Sequence, residues 1–304
     1  MPRIQFGWTM PSGVRDPRFQ KTLVADTRKG LEMVAGRFDS AWFVDHLQTE
    51  SNQLLEGWTA ITYMSALYPQ FQFGHAVLCQ SFRNPALLAK MAATLQFMSG
   101  GRFILGIGAG WKEDEYTAYG YDFPVAGVRV EELEETLQII KAMWQNERAT
   151  FEGKHYRVVN AWCEPKPDPL PPVMIGGAKP RMLRLIARHA DWWNVSWTTI
   201  ENYRPQVVEC ERACEEIGRD PATLRRTWFG GCICAPTEDR LKALNKMGLT
   251  REGGAFVGTP SQIADQMRPF IDLGVDYFML SSGGFPDLTT LDMLVNEVLP
   301  AVNR

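Results

Sequence analysis

The sequence predicts an α/β fold, a single closed (β/α)8 TIM barrel, on three observations. Eight short apolar runs alternate with amphipathic stretches along the 304 residues, the rhythm of a parallel sheet covered by helices. One stretch, Phe71 to Trp111, shows the repeat most clearly: strand, helix and strand follow within about forty residues, a βαβ unit whose strands must run parallel. Finally, the length is long for one ordinary domain but suits one α/β barrel. The expectation is one domain over residues 1–304, with an insertion at about 149–171 before strand five.

The elements follow in order. Arg3 to Trp8 reads as strand one, and Leu23 to Ala35 has helical periodicity. Ser40 to Val44 is strand two, followed by a polar loop to Leu54 and a helix over Trp58 to Leu67. Phe71 to Leu78 is strand three. In the next helix Leu87, Leu88, Met91, Leu95 and Met98 fall at helical spacing on one predicted buried face, and Ser99-Gly100-Gly101 ends it. Arg102 to Ile107 is strand four. A long helix is marked by Val130, Leu133, Leu137, Ile140 and Met143, with Glu131, Glu132, Glu134 and Glu135 near its start, where carboxylates suit the helix dipole. The insertion reads as a hairpin turning at Glu152-Gly153 and then a proline-rich loop. Val173 to Ile175 is strand five, with a helix to Ala190. Trp192 to Ser196 is strand six and Ile200 to Ile217 its helix. Arg225 to Cys234 is strand seven, followed by helices Glu238 to Met247 and Pro260 to Leu273. Asp276 to Ser281 is strand eight, and Leu288 to Leu299 the last helix.

Composition excludes several function classes. A hydrophobic share of 45% and a charged share of 22% are those of a globular protein with a sizeable core. A net charge of −3 argues against a nucleic-acid footprint or a basic membrane patch. No apolar run is long enough to cross a membrane, and the N-terminus MPRIQFGW lacks the apolar region of a secretory signal, so the expected location is cytoplasmic. The six cysteines form no C-x-x-C pair and read as buried thiols, with no metal site expected.

Chemistry in such barrels collects at the carboxyl ends of the strands. Strand two ends in Asp45-His46, where the imidazole can shuttle a proton with the aspartate orienting it. Gly74 in strand three reads as a packing glycine or a close approach of ligand to backbone. Strand four ends in Gly106-Ile-Gly108-Ala-Gly110-Trp111, whose G-x-G-x-G spacing differs from the G-x-G-x-x-G of a dinucleotide fold. Strand five ends in Gly176-Gly177-Ala178-Lys179-Pro180. Small residues before a helix N-terminus, with one lysine, read either as an anion seat or as a plain strand–helix turn. Trp192 and Trp193 read either as core or, for one of them at the mouth, as a wall for a flat aromatic ligand. Together these describe a phosphate seat, an aromatic mouth and an Asp-His pair, the needs of a phosphorylated planar cofactor.

Nine motifs in order resemble the bacterial luciferase-like flavin-dependent oxidoreductases, most of all their coenzyme F420-dependent branch. They are Asp45-His46-Leu47, Glu56-Gly57-Trp58, Arg83 to Lys90, Ser99 to Arg102, Gly106 to Trp111, Phe151 to Tyr156, Ile175 to Gly177, Ala190 to Asn194 and Val257 to Pro260. The resemblance implies a barrel with flavin or deazaflavin across the strand mouths. It implies a non-prolyl cis peptide at Ala76-Val77 against the ring, His46 as proton donor or acceptor, and Asp45 beside the ring. It further assigns Gly176, Gly177, Ala178 and Lys179 to the phosphate turn, and Gly108, Trp111 and Asp114 to contacts with ring or substrate. Homodimers are common among such relatives, so a homodimer is expected.

The chain departs from the pattern in reading Gly-Gly-Ala-Lys at 176–179 and Ala-Asp-Trp-Trp-Asn at 190–194. Sugar-phosphate dehydrogenases of the branch carry an acid directly after Gly-x-Gly, where this chain has Trp111, which weakens a sugar-phosphate assignment. The expected function is transfer of a hydride between deazaflavin C5 and a small organic substrate. The alternatives are an FMN-dependent monooxygenase using O2 and a partner flavin reductase, or a non-catalytic flavin-binding barrel. A Schiff-base lyase has only Lys179 to draw on.

Overall fold

Each predicted apolar run becomes one stave of a closed parallel barrel. The computed structural model describes residues 3–49, 53–245 and 254–303. Its barrel strands are β1 (Gln5–Thr9), β2 (Ser40–Phe43), β3 (Gln72–His75), β4 (Phe103–Gly108), β5 (Val173–Gly176), β6 (Trp192–Ser196), β7 (Arg225–Cys234) and β8 (Val275–Ser282). All neighbours pair in parallel in sequence order, and β8 pairs with β1. The ring closes where Val173 to Ile175 of β5 lie opposite Leu105 to Ile107 of β4.

The helices wrap the outside: α1 (Leu23–Val34), α2 (Gly57–Leu67), α3 (Pro85–Ser99), α4 (Glu113–Tyr119), α5 (Ala126–Gln145), α6 (Pro180–His189), α7 (Ile200–Glu215), α8 (Glu238–Asn245) and α9 (Pro260–Asp272). The last predicted helix is Thr289–Met293 and Leu299–Val302 joined through a π-helical segment, Leu294–Val298. Residues 246 and 247, the predicted end of α8, lie outside the described residues.

The barrel interior is filled by side chains. Trp42, Ile104, Met174, Trp192, Tyr277 and Met279 pack there, almost all without solvent contact. Trp42 explains two glycines. A Cβ on Gly74 of β3 would stand 2.4 Å from its indole, and one on Gly7 of β1 2.3 Å. Gly74 is therefore a packing glycine, and no ligand needs to reach it.

Sequence motifs that look separate meet at the helix ends. Asn84 caps α3 by accepting from the amides of Ala86 and Leu87, Pro85 sits at the first turn, and Gly100 ends the helix in the left-handed region (φ 67°). The Arg102 guanidinium reaches the carbonyls of Ser65, Ser99 and Phe71, tying the ends of α2 and α3 to the start of β3. The predicted buried face of α3 needs correction. Leu88, Ala89, Ala92, Ala93 and Leu95 face the barrel, whereas Leu87 and Met98 are exposed. Alanines let the helix approach the sheet closely, so small residues take the inner face that the larger ones were expected to fill.

Three features lay outside the simple alternation. A short strand, Ala255–Gly258, joins the outside of β7 at Gly231 to Cys234. Gly13–Val14 pairs antiparallel with Gln53–Leu54 near the barrel mouth. The insertion forms the hairpin Arg148–Glu152 with Arg157–Trp162. The glutamates of α5 hold that hairpin. Helix α5 starts at Ala126 with no acid in its first turn, so these carboxylates do not serve the helix dipole. Glu135 instead accepts from the amides of Lys154, His155 and Tyr156, and Glu131 pairs with Lys154, His155 and Arg181. Hydrogen bonds from Lys154, Arg181 and His155 push the Glu131 carboxyl down to about 2. All six cysteines are free and buried.

Candidate active site

The carboxyl ends of the strands open into a cleft of about 1260 Å3. It is larger than most small-ligand pockets. The opposite face holds a smaller hollow of about 760 Å3, where Arg225 pairs with Asp276 and Arg226 with Glu211.

The cleft gathers nearly every predicted site residue. Asp45 and His46 follow β2, Ala76 and Val77 follow β3, Gly108 ends β4 and Trp111 lies just beyond it. Gly176, Gly177, Ala178 and Lys179 join β5 to α6. The Ala76-Val77 peptide is cis, at the position the resemblance implied. Beyond it the chain rejoins the sheet, with Leu78 and Cys79 opposite Ile107 and Gly108 of β4. The Val77 side chain occupies the space beside Gly108 and Gly176, where an added Cβ would come within 2.8 and 3.2 Å of it.

Two expectations need correction. Asp45 does not orient His46. Its carboxylate receives both Arg83 guanidinium nitrogens, at 2.8 and 2.9 Å, and the Cys79 amide at 2.9 Å. Two of these donors come from one guanidinium, so the buried carboxylate is held in a bidentate, charge-assisted pair that faces Arg83 and not His46. Arg83 also binds Glu56, which itself caps α2 through the amides of Trp58 and Thr59. The aspartate thus anchors the loop after the cis peptide. Asp114, in turn, is absent from the cleft lining, and its carboxylate pairs with Lys112 at 2.6 Å.

The partner of His46 is Glu115, which the sequence reading missed. Its Oε1 lies 2.8 Å from His46 Nδ1, and its side chain is only 2% exposed against 28% for His46. Lys112 Nζ stands 3.2 Å from the same carboxylate and donates to the Gln48 carbonyl at 3.0 Å. Trp111 meets the imidazole edge-on with centroids 6.0 Å apart. Residues 114 and 115 are adjacent on a helix, so about 100° of rotation separates them and only one faces inward. Locating α4 was the missing step.

The anion seat has donors to spare. The Gly177 amide is taken by the Asn194 carbonyl at 3.1 Å and its carbonyl by the Trp193 indole at 2.8 Å. Among the described residues the amides of Ala178 and Lys179 make no hydrogen bond within the chain, and the Lys179 side chain has no ion pair. The same cleft is lined by Ser196 at the end of β6, by Thr198, and by Asn202 and Gln206 of α7. Trp192 and Trp193 are both buried in the core; the aromatic side chains lining the cleft are Phe82, Trp111, Tyr116, Trp197 and Phe229. Cys79 also lines the cleft, hydrogen-bonded to the Tyr116 hydroxyl at 2.9 Å; burial pushes its thiol up to about 11, so it stays protonated.

Comparison with known proteins bears on the family and the fold. An F420-dependent glucose-6-phosphate dehydrogenase of Microbacterium testaceum is 26% identical, over 88% of this chain and 90% of that protein. Another from Kineococcus radiotolerans is 34% identical over 62% of this chain and 58% of its own. Among solved structures, an F420-dependent secondary alcohol dehydrogenase superposes with a TM-score of 0.84 at 19% identity, covering 99% of this chain and 100% of that one. An EDTA monooxygenase from Chelativorans sp. BNC1 gives 0.77 at 19% identity, over 99% of this chain and 93% of its own. Identities this low establish a shared fold. The model of the luciferase-like monooxygenases matches residues 35–252, and the chain belongs to that family of oxidoreductases.

Proposed function

We propose that this protein is a coenzyme F420-dependent oxidoreductase that moves a hydride between the deazaflavin and a small organic substrate. The observation that carries the choice of cofactor is the set of polar side chains, Ser196, Thr198, Asn202 and Gln206, that line the same cleft as the Gly176–Lys179 turn. FMN ends at its phosphate, whereas F420 continues into a polar tail that needs such a groove. The F420 dependence of the dehydrogenases to which the chain is similar supports the same choice.

The residues present fit the group. Ala178 and Lys179 offer unused amides and a cation to a phosphate at the α6 N-terminus. Val77, backed by Gly108 and Gly176, would stand against one face of the ring, and Trp197 borders the same cleft. When bound, the deazaflavin supplies a carbon centre that accepts or gives hydride. His46, half in the cleft, handles the coupled proton, and the barrel walls keep bulk water from one side of the reaction. A homodimer, with a second copy covering the outer faces of α2 and α3, completes the proposal.

The test is label transfer. Reduced F420 carrying deuterium at C5 is incubated with the protein and a panel of ketones, imines and activated alkenes. The expected product carries deuterium on the reduced carbon, and His46→Ala keeps cofactor affinity while losing most turnover. Oxygen-dependent hydroxylation with reduced FMN and a reductase, and none with F420, would replace this reading with a monooxygenase. Absence of turnover with either would favour a binding role.

A further inference from the structure

We propose that Glu115 is the positioning residue for proton transfer, fixing His46 with its proton on Nδ1 and its Nε2 lone pair turned to the cleft. The inference rests on the assignment of His46 as the proton-handling group but not on which flavin is bound.

Three observations carry it. The Glu115 carboxylate is nearly sealed from solvent, and its polar partners among the described residues are His46 and Lys112. A buried carboxylate beside an ammonium group is ionised and therefore accepts only, so the 2.8 Å contact requires the hydrogen on Nδ1. A neutral imidazole then has Nε2 as its acceptor, and no residue among those described bonds to that nitrogen. The obvious competitor for the orienting role, Asp45, is engaged by Arg83 and the Cys79 amide and has no hydrogen bond to His46 among the described residues. Lys112 completes the arrangement by tying the start of α4 to the Gln48 carbonyl, two residues beyond His46.

The step balances with this tautomer. In the oxidative direction a bound deazaflavin would serve as the two-electron acceptor, taking hydride from a substrate carbon that bears a hydroxyl. The hydroxyl proton passes to His46 Nε2 and the carbon–oxygen double bond forms. The imidazolium so produced faces the Glu115 carboxylate, which offsets its charge until the proton leaves to solvent. Reduction of a carbonyl runs the same steps backwards.

The experiment combines nitrogen NMR of imidazole-labelled protein, without cofactor, with kinetics. In the native protein at neutral pH, His46 should show a protonated Nδ1 and an unprotonated Nε2. Glu115→Gln should blur that signature into a mixture of tautomers. It should also lower kcat at least tenfold with KM nearly unchanged, and move the acid limb of the kcat profile to lower pH because the imidazolium loses its counter-charge. Glu115→Asp should recover part of the rate. An Nε2–H tautomer in the native spectrum would overturn the proposal even if Glu115→Gln failed to fold, as would a Glu115→Gln enzyme with unchanged tautomer, kcat and pH profile. The spectrum is independent of flavin identity, so its failure is distinguishable from failure of the hydride-transfer reading.

Discussion

His75 ends β3 directly before the cis peptide, with no solvent contact and its ring stacked on Trp58 at 5.5 Å and 13°. Among the described residues neither ring nitrogen finds a hydrogen-bond partner. Burial lowers its basicity to about 4, against a weaker opposing pull from Asp45. The native state therefore refuses a proton that the unfolded chain accepts below about 6.5. The cost to stability is absent above that pH, grows as pH falls through the window, and is complete near 4, at about 3 kcal/mol in size. Chemical denaturation at pH 7 and pH 5 should show the part of that loss reached by pH 5, about 2 kcal/mol, and His75→Phe, which keeps the stack, should flatten its share. An unchanged slope in that variant would mean another group titrates. At this scale the sequence was legible wherever a strand end was legible. It placed His46, Val77 and the anion seat in one cleft. It failed on partners: Asp45 adjoins His46 in the chain, yet the local fold gives the aspartate to Arg83 and the histidine to Glu115. Side-chain pairing across elements has no periodicity to read.

Among the elements, α3 is apolar on nearly every side. Its small residues pack on the barrel while Leu87 and Met98, three turns apart, and Phe97 beside them stay exposed. Neighbouring α2 exposes Tyr63 and Leu67. A helix apolar all round calls for cover on its second face, which is why the proposed second copy is placed there. Light scattering of the wild-type protein should give a dimer, and the double substitution Phe97→Glu and Met98→Glu a folded monomer. A monomeric wild type, or a dimer indifferent to the two charges, would contradict this placement. The same helix shows why its inner face was misread: hydrophobicity alone ranks leucine and methionine above alanine, but contact with a sheet also depends on how closely the backbone can approach. The glutamates of α5 were misread for a related reason. Their position relative to the helix start, not their number, decides whether they meet the dipole or the hairpin.

For the whole molecule, alternating strand and helix patterns sufficed to foresee a closed barrel, because every stave is buried on both faces and reads as a continuous apolar run. The strand Ala255–Gly258 escaped notice because it is a single four-residue addition outside that rhythm. The G-x-G-x-G run turned out to be a wall: its glycines make room for Val77 and for the His75 carbonyl, 1.8 Å from where a Cβ of Gly106 would stand. The central claim is that the cleft is shaped for a deazaflavin with a polar tail. Fluorescence titration with F420, with the deazaflavin lacking phosphate and tail, and with FMN tests it most directly. The account predicts tightest binding for F420, with the tail-less ring weaker by at least about tenfold, roughly 1.4 kcal/mol, and FMN weaker than F420. FMN binding more tightly than F420, or no loss on removing the tail, would contradict it.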